Sequence, residues 1–421
     1  MSEHYPLRMI WNNLALPDLA CGFKLAIGPT KMILAFLGVL TVCTLGFVMD
    51  VCNKGVTTGY QNAPSPVFKT ELDYYEGHSV KETKAFIEEN IDQHPQRGVF
   101  STLWSYFSGR FHNATTQLLN LSDSNIYSNI KYVFYNIWLC ICAIGWSFRF
   151  HPIYSLTYFS AAFLVFVFVG GAISRCAALE FANAERPGLF ESMGYSYRNY
   201  RSFVSAPLLP LGMVGIFAFG VIGLGMIAAI PRIGELLMVL LFGFLLLLGF
   251  LVTLMALGIV AGGLLLFPSI AYEKTTGLDS IGRAFNYVLK YPVWMFYYVL
   301  ISGGLGTFFY LALRLLIFLA IYLTYNLLLA GMTIARQTPK LERIWPKPDL
   351  LSFLQTASNP AGWSESVSAF VIHLFMLAIV GILLSYIISY FFSSATVIYA
   401  LMRKKIDRIE TNRIYLHLEQ V

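Results

Sequence analysis

Three long stretches of apolar residues constrain the fold of this chain more than any other feature of its sequence. Leu236–Tyr272 runs for 37 residues without a charge, Val293–Met332 for 40 residues with the single charge of Arg314, and Phe370–Met402 for 33 residues without one. A helix crosses a hydrocarbon core about 30 Å thick with about 20 residues. Each stretch is therefore predicted to be a tilted helix that continues past the membrane, a kinked helix or a tight helical hairpin. The first stretch contains no polar turn, which favours a long or kinked helix there.

The charged residues support the same class of fold. They make up only 12% of the 421 residues, against about 25% in soluble domains. The excess of 29 Lys and Arg over 23 Asp and Glu is ordinary for a membrane protein and too dilute for a nucleic-acid partner. The sequence predicts an all-α, polytopic helical membrane protein with about seven spans (six to eight), interfacial helices and a small polar helical insert.

The distribution of polar residues divides the chain into five segments. They are an interfacial N-terminal arm (1–31), a first span (32–49), a polar helical insert (50–129), a multi-span membrane domain (130–402) and a basic tail (403–421). Within the insert, Ser79 and Glu82 form a capping box, which predicts a helix that runs to about Ile91. Aromatic and apolar residues at helical spacing between Val99 and Phe111 predict a second helix.

Two segments between spans resemble each other. Each begins with a glutamate where the chain leaves a span, Glu180 in one and Glu273 in the other. Each continues into an acidic-Ser-apolar-Gly element, at 191–194 and 279–282, which is typical of a helix start. A duplication of a span plus an interfacial helix, over about 153–230 and 236–332, would account for this match, as would chance.

Basic residues bear on the orientation of the chain in the membrane. Four of them open the tail and are predicted to contact the lipid surface: Arg403, Lys404, Lys405 and Arg408. They follow the last apolar stretch directly, which predicts a cytoplasmic C-terminus. If the two similar segments lie on the same side of the membrane, an even number of spans separates them. The chain then has seven spans and an N-terminus outside. Lys24 and Lys31 instead favour an N-terminus inside and an even number of spans, so both orientations stay open.

Several short stretches occur in combination in a known family. They are Gly170–Arg175 followed by 176–182, Ala206–Gly212, Ile230–Gly234, Pro268–Glu273 and Ser394–Tyr399 with the basic cluster that follows. Over roughly residues 97–417 the chain resembles an uncharacterised family of multi-span inner-membrane proteins of planctomycete-type bacteria. The resemblance implies a bacterial inner (cytoplasmic) membrane location and no particular chemistry. The chain departs from it at Lys405–Asp407, where an acidic pair is usual.

Five polar residues are candidates for function. Arg314 either faces a hydrated cavity, as functional charges within a membrane do, or extends to the headgroups, which we favour. His373 could relay protons, although a hydrogen-bonded packing role is favoured. Glu180 and Glu273 are predicted to pair with Arg175 and with Lys274 or Arg283, as structural caps rather than ion ligands.

The sequence contains no pattern that points to an enzyme. The six cysteines show no metal-ligand or redox spacing, and no nucleophile–base pair, HExxH motif or Walker lysine occurs. We therefore expect no metal, no cofactor and no catalytic activity.

The favoured function is that of a non-enzymatic membrane protein, a scaffold or an accessory subunit that acts through packing with lipid and protein. Its expected partners are membrane lipids and a second membrane protein or another copy of the chain. The alternative is a small-solute transporter or channel built on the duplicated span and interfacial helix. A transporter should present polar residues around a cavity at mid-depth, whereas a scaffold should show a packed interior and an exposed apolar surface.

Overall fold

A computed structural model describes residues 15–61, 67–91, 95–119, 126–183, 185–230, 233–335, 338–350, 353–354 and 361–415. The first 14 residues of the predicted arm and the last six of the tail lie outside the described residues. The chain forms two compact units. The first unit comprises Met1–Gly38, Phe166–Leu313 and Ile382–Val421, and the second comprises Val39–Val165 and Arg314–Gly381.

Helices account for most of the described chain. In order they are α1 (Leu16–Ala26), α2 (Pro29–Cys52), α3 (Glu71–Tyr75), α4 (Val80–Asn90), α5 (Val99–Leu119), α6 (Ile126–Phe150), α7 (Pro152–Asn183), α8 (Leu189–Arg198), α9 (Tyr200–Ala228), α10 (Ile233–Glu273), α11 (Gly277–Lys290), α12 (Pro292–Ile334), α13 (Thr338–Ile344) and α14 (Trp363–Ile406).

Seven helices of the described chain are long and apolar enough to cross a membrane, namely α2, α6, α7, α9, α10, α12 and α14. The prediction of an all-α polytopic protein is thereby confirmed. Each of the three long apolar stretches forms one continuous helix, of 41 residues in α10, 43 in α12 and 44 in α14. At about 1.5 Å per residue such helices are roughly twice as long as the hydrocarbon core is thick. The alternative of a tight hairpin within one stretch is wrong.

The capping box predicted in the insert is confirmed. Ser79 is the N-cap of α4, where its hydroxyl accepts from the Glu82 N–H at 3.4 Å and the Glu82 carboxylate accepts from the Ser79 N–H at 2.7 Å. These bonds hold the pKa of the Glu82 carboxyl below its ordinary value. The contribution of the box to stability is therefore present above the unfolded-state pKa and is lost as the pH falls through the lower folded-state pKa.

The described part of the insert also contains four strands that the sequence did not predict. They are β1 (Lys54–Val56), β2 (Thr58–Gln61), β3 (Val67–Thr70) and β4 (Arg97–Gly98). β1 pairs with β4, and β2 with β3, both antiparallel. Strands of two to four residues are too short to show an alternating pattern in the sequence. The insert is thus helical with two small sheets, rather than purely helical.

In the core of the first unit, side chains from neighbouring helices approach the backbone of α7 closely. A Cβ atom at Gly171 would lie 2.7 Å from the Ser196 hydroxyl oxygen and 2.9 Å from the Phe203 ring, closer than packing allows. Gly170 is equally crowded by the Phe392 ring. Small residues at this end of α7 thus admit close neighbours.

The helices α9 and α10 bury fewer of their residues than α7 does. They contact each other and α11. In the most apolar 18-residue stretch of each helix no residue is buried. Their apolar side chains therefore remain available to the surroundings.

Candidate functional site

Arg175, near the end of α7, binds the C-terminal end of α10. Its Nη1 donates to the Ala271 carbonyl and its Nη2 to the Tyr415 carbonyl, both at 2.8 Å. The guanidinium lies over the ring of Tyr195, with 4.4 Å from Cζ to the ring centroid. Only 6% of Arg175 is exposed. The last carbonyls of a helix lack partners within the helix and carry partial negative charge, so a cation is stabilising there.

Two further groups satisfy neighbouring carbonyls of α10. The Tyr195 hydroxyl donates to the Ile270 carbonyl at 2.7 Å, and the Tyr415 N–H donates to the Tyr272 carbonyl at 2.9 Å. Burial raises the pKa of Tyr195 to about 12, although the positive charge of Arg175 opposes this shift. The phenol therefore keeps its proton and its donor role at neutral pH.

Glu273 ends α10 within a cluster of positive charges. Its Oε1 accepts from the Tyr399 hydroxyl at 2.8 Å and lies 2.9 Å from Arg403 Nε, and its Oε2 forms an ion pair with Arg283. The predicted Glu273–Arg283 pair is confirmed. Arg403 is predicted from the sequence to contact the lipid surface, but only 8% of it is exposed, because Glu273 and the Arg413 carbonyl draw its guanidinium inward.

Glu180 is held in a similar way near the end of α7. It forms ion pairs with the buried Lys31 of α2 and with Arg186, whose Nε lies 3.5 Å from its Oε1. The predicted Glu180–Arg175 pair is wrong, because Arg175 is already bound to the end of α10. Each glutamate of the similar segments thus binds two cations, which supports the structural role predicted for both.

The helices that follow these glutamates begin where the sequence predicts. α8 begins after Gly188, and α11 begins after Thr276, whose hydroxyl accepts from the Asp279 N–H at 3.3 Å. α8 and α11 bring polar side chains to the ends of α7 and α10.

A cavity of about 680 Å³ lies beside Arg175 in the first unit. Its charged lining residues are Arg175, Arg198, Lys274, Glu185 and Glu191, and Tyr195, Asn199 and Tyr415 also contribute to it. Both signs of charge therefore face one space.

Arg314 and His373 lie in the second unit. Arg314 is 6% exposed, its Nε donates to the Leu350 carbonyl at 3.1 Å, and its Cζ lies 5.1 Å from the centroid of the Phe353 ring. His373 and Phe353 line a cavity of about 20 Å³, which has room for about one water molecule.

Asp50, near the end of α2, is a central residue that the sequence analysis missed. Its carboxylate accepts from the Phe100 N–H at 3.0 Å, the Ser101 N–H at 2.7 Å and the Tyr154 hydroxyl at 2.6 Å. Asp50 therefore caps the first turn of α5 from another helix. A charged residue at the end of an apolar stretch is ordinary, so its position alone gave no signal.

The remaining basic residues of the tail have separate environments. Lys404 is exposed, and Lys405 Nζ lies 2.9 Å from the centroid of the Trp294 ring. Arg408 follows the end of α14 with φ 55°, in the left-handed region.

Comparisons with protein families, with curated proteins and with solved structures find nothing that matches this chain.

Proposed function

We propose that this integral membrane protein acts as a scaffold or accessory subunit, whose α9–α10 pair packs against a membrane helix of a partner subunit or of a second copy. The observation that carries the proposal is the absence of buried residues in the most apolar stretch of each of these two helices. The resemblance and the basic tail support a bacterial inner membrane with the C-terminus in the cytoplasm.

Glycines on α9 favour a helix as the neighbour. Gly220 and Gly223 are three residues apart and share a face of the helix. A Cβ atom at either position would meet nothing within 4 Å. Lipid tails gain nothing from such positions, whereas a second helix can approach its backbone closely there and gain van der Waals contact.

The surroundings of Arg314 favour the scaffold over a transporter. Its guanidinium is bound to a backbone carbonyl and stacked on a ring, both from the segment 350–353. The cavity beside His373 is the size of one water molecule, too small for a solute. Arg314→Leu is therefore expected to change lipid or partner retention rather than any transport.

The experiment compares the size of the assembly extracted from native membranes in a mild detergent. We expect the unmodified chain, of 47.3 kDa, to migrate in a larger complex. Gly220→Leu and Gly223→Leu should shift it to the size of the single chain, because the new side chains fill the space that a neighbouring helix would occupy. The fold of the chain should be unchanged, since a Cβ atom at either position meets nothing within 4 Å.

Gly282→Leu is the matched control. Gly282 has equally open space but lies in α11, outside the spanning helices. A single-chain size for the unmodified protein, or an unchanged complex in both α9 variants, would contradict the proposal.

A further inference from the structure

The cavity beside Arg175 contains four charged groups that no ion pair within the described chain neutralises. Arg198 and Lys274 supply positive charge, and Glu185 and Glu191 supply negative charge. The ion pairs formed by described residues involve other side chains. Unpaired charges of both signs around one cavity suit a ligand that itself carries both signs.

Lys274 lies at the wall of the cavity in a left-handed conformation. Its φ is 54°, and its N–H donates to the Ile270 carbonyl at 2.9 Å, which makes it the left-handed residue that ends α10. Glycine is the residue that favours this conformation, because a Cβ atom is strained there. The chain instead keeps a lysine, whose Nζ lies 5.1 Å from the centroid of the Tyr415 ring at the wall of the cavity.

The position and the size of the cavity indicate the class of ligand. It lies at the ends of the long apolar helices α7 and α10, where lipid headgroups meet a membrane protein. Its volume of about 680 Å³ lies in the range of small-molecule sites, about 300–1,000 Å³. Phe190, an exposed aromatic side chain, also lines it and offers an apolar surface to an acyl chain.

We propose that this cavity binds a zwitterionic phosphoamine headgroup, as in phosphatidylethanolamine. The phosphate is held by Lys274 and Arg198, and the ammonium is held by Glu185 and Glu191. This site is separate from the α9 surface of the proposed function and does not depend on it.

The test uses the full chain in detergent, freed of lipid, and measures binding of short-chain phosphatidylethanolamine, phosphatidylcholine and phosphatidylglycerol by native mass spectrometry. We expect phosphatidylethanolamine to bind most tightly, because the quaternary amine of the choline lipid cannot donate hydrogen bonds and the glycerol lipid has no amine. Lys274→Gly should weaken its binding about tenfold, in line with the loss of one charge-assisted contact. The thermal midpoint of that variant should stay the same or rise, since glycine suits the left-handed position.

Further variants separate the two charges of the ligand. Glu191→Gln should reduce the preference for phosphatidylethanolamine over phosphatidylglycerol, while the matched controls Lys81→Met and Glu410→Gln, both exposed and outside the cavity, should have no effect. Glycerophosphoethanolamine, which has the headgroup without acyl chains, should compete. Equal binding of the three lipids, unchanged binding in Lys274→Gly or a failure of glycerophosphoethanolamine to compete would overturn the proposal.

One ion pair constrains the path of the chain through the membrane. Lys31, at the start of α2, forms an ion pair with Glu180, near the end of α7. If α2, α6 and α7 all crossed, these two residues would lie on opposite sides of a hydrocarbon core about 30 Å thick. An even number of crossings between Lys31 and Glu180 is therefore required, so the three helices cannot all cross. Of the seven candidates, α6 has the lowest mean hydropathy, 1.4 against 2.0 to 2.9.

Contacts within the second unit support the same conclusion. Asp50, near the end of α2, binds Tyr154, near the start of α7, and Glu71 Oε1 lies 2.9 Å from Nε2 of His151, which directly follows α6. The chain therefore leaves α2 and enters α7 at the same end. α5 packs on α6, and Gln117 Nε2 donates to Asn129 Oδ1 at 2.9 Å between them.

We infer that α6 does not cross the membrane and that α5 and α6 form a hairpin on the side of the insert. Six crossing helices remain, and an even number places both ends of the chain on one side. Of the two orientations that the sequence leaves open, this is the one that Lys24 and Lys31 favour.

Native lysines test this path without any substitution. Sealed vesicles of each orientation are treated with an amine reagent that cannot cross the membrane, and the modified peptides are identified by mass spectrometry. We expect the exposed Lys81 and Lys131 to react from one side, and the exposed Lys24, Lys290 and Lys404 from the other. Reaction of Lys81 or Lys131 from the same side as Lys404 would overturn the inference.

Discussion

Replacing Asp50 with alanine is expected to lower the free energy of unfolding of the second unit by about 3 kcal/mol. The carboxylate of Asp50 is buried and accepts from Phe100, Ser101 and Tyr154. Its removal leaves buried donors without an acceptor, which costs more than the loss of an average hydrogen bond. The first turn of α5 also loses the negative charge that its N–H groups favour.

Hydrogen exchange of the α5 amides and thermal unfolding in detergent measure this effect. Asp50→Asn keeps the shape and an acceptor oxygen, so it should be affected less than the alanine variant. Glu88→Ala, which removes an exposed carboxylate from the same unit, should change neither measurement. Unaltered protection of the first turn of α5 in Asp50→Ala would contradict the role assigned to this residue.

Replacing Glu273 with alanine is expected to cost about 3–5 kcal/mol of stability in the first unit, the usual result of removing one partner from a buried ion pair. Arg403 and Arg283 would both lose the carboxylate that pairs with them, and Arg403 is almost entirely buried. Tyr399→Phe removes a single hydrogen bond to the same carboxylate and should cost about 1 kcal/mol.

Unfolding in detergent monitored by circular dichroism provides the comparison. The exposed Glu410, changed to alanine, serves as the control for loss of one negative charge at this end of the chain. Equal losses in Glu273→Ala and Tyr399→Phe would show that the two arginines find other partners, and would contradict the central role of Glu273.

The parts of the fold that could be predicted are those encoded over short distances in the sequence. The long helices follow from uninterrupted apolar residues, and α4 follows from Ser79 and Glu82, which are three positions apart. The starts of α8 and α11 follow from local acidic residues in the same way. The strands of the insert are too short for a periodic pattern, so no comparable signal exists for them.

The polar contacts of the candidate site could be predicted only in part. Arg283 follows Glu273 within one interfacial segment, and their pairing was accessible from the sequence. Lys31 and Glu180 are 149 residues apart, and nothing local in either segment names the other as its partner. The choice between Arg175 and Lys31 as the cation for Glu180 depends on how helices pack, which a single sequence does not encode in any readable pattern.

The contact between Arg175 and Tyr415 has a consequence for the biosynthesis of the protein. The two residues are 240 positions apart, so at about 5–20 residues per second Tyr415 is made roughly 12–48 seconds after Arg175. During that interval α7 contains an arginine whose second carbonyl acceptor does not yet exist. In the nascent chain, water, lipid phosphates or an insertion factor must solvate or pair with this charge. The end of α10 becomes fully capped only when the tail emerges from the ribosome.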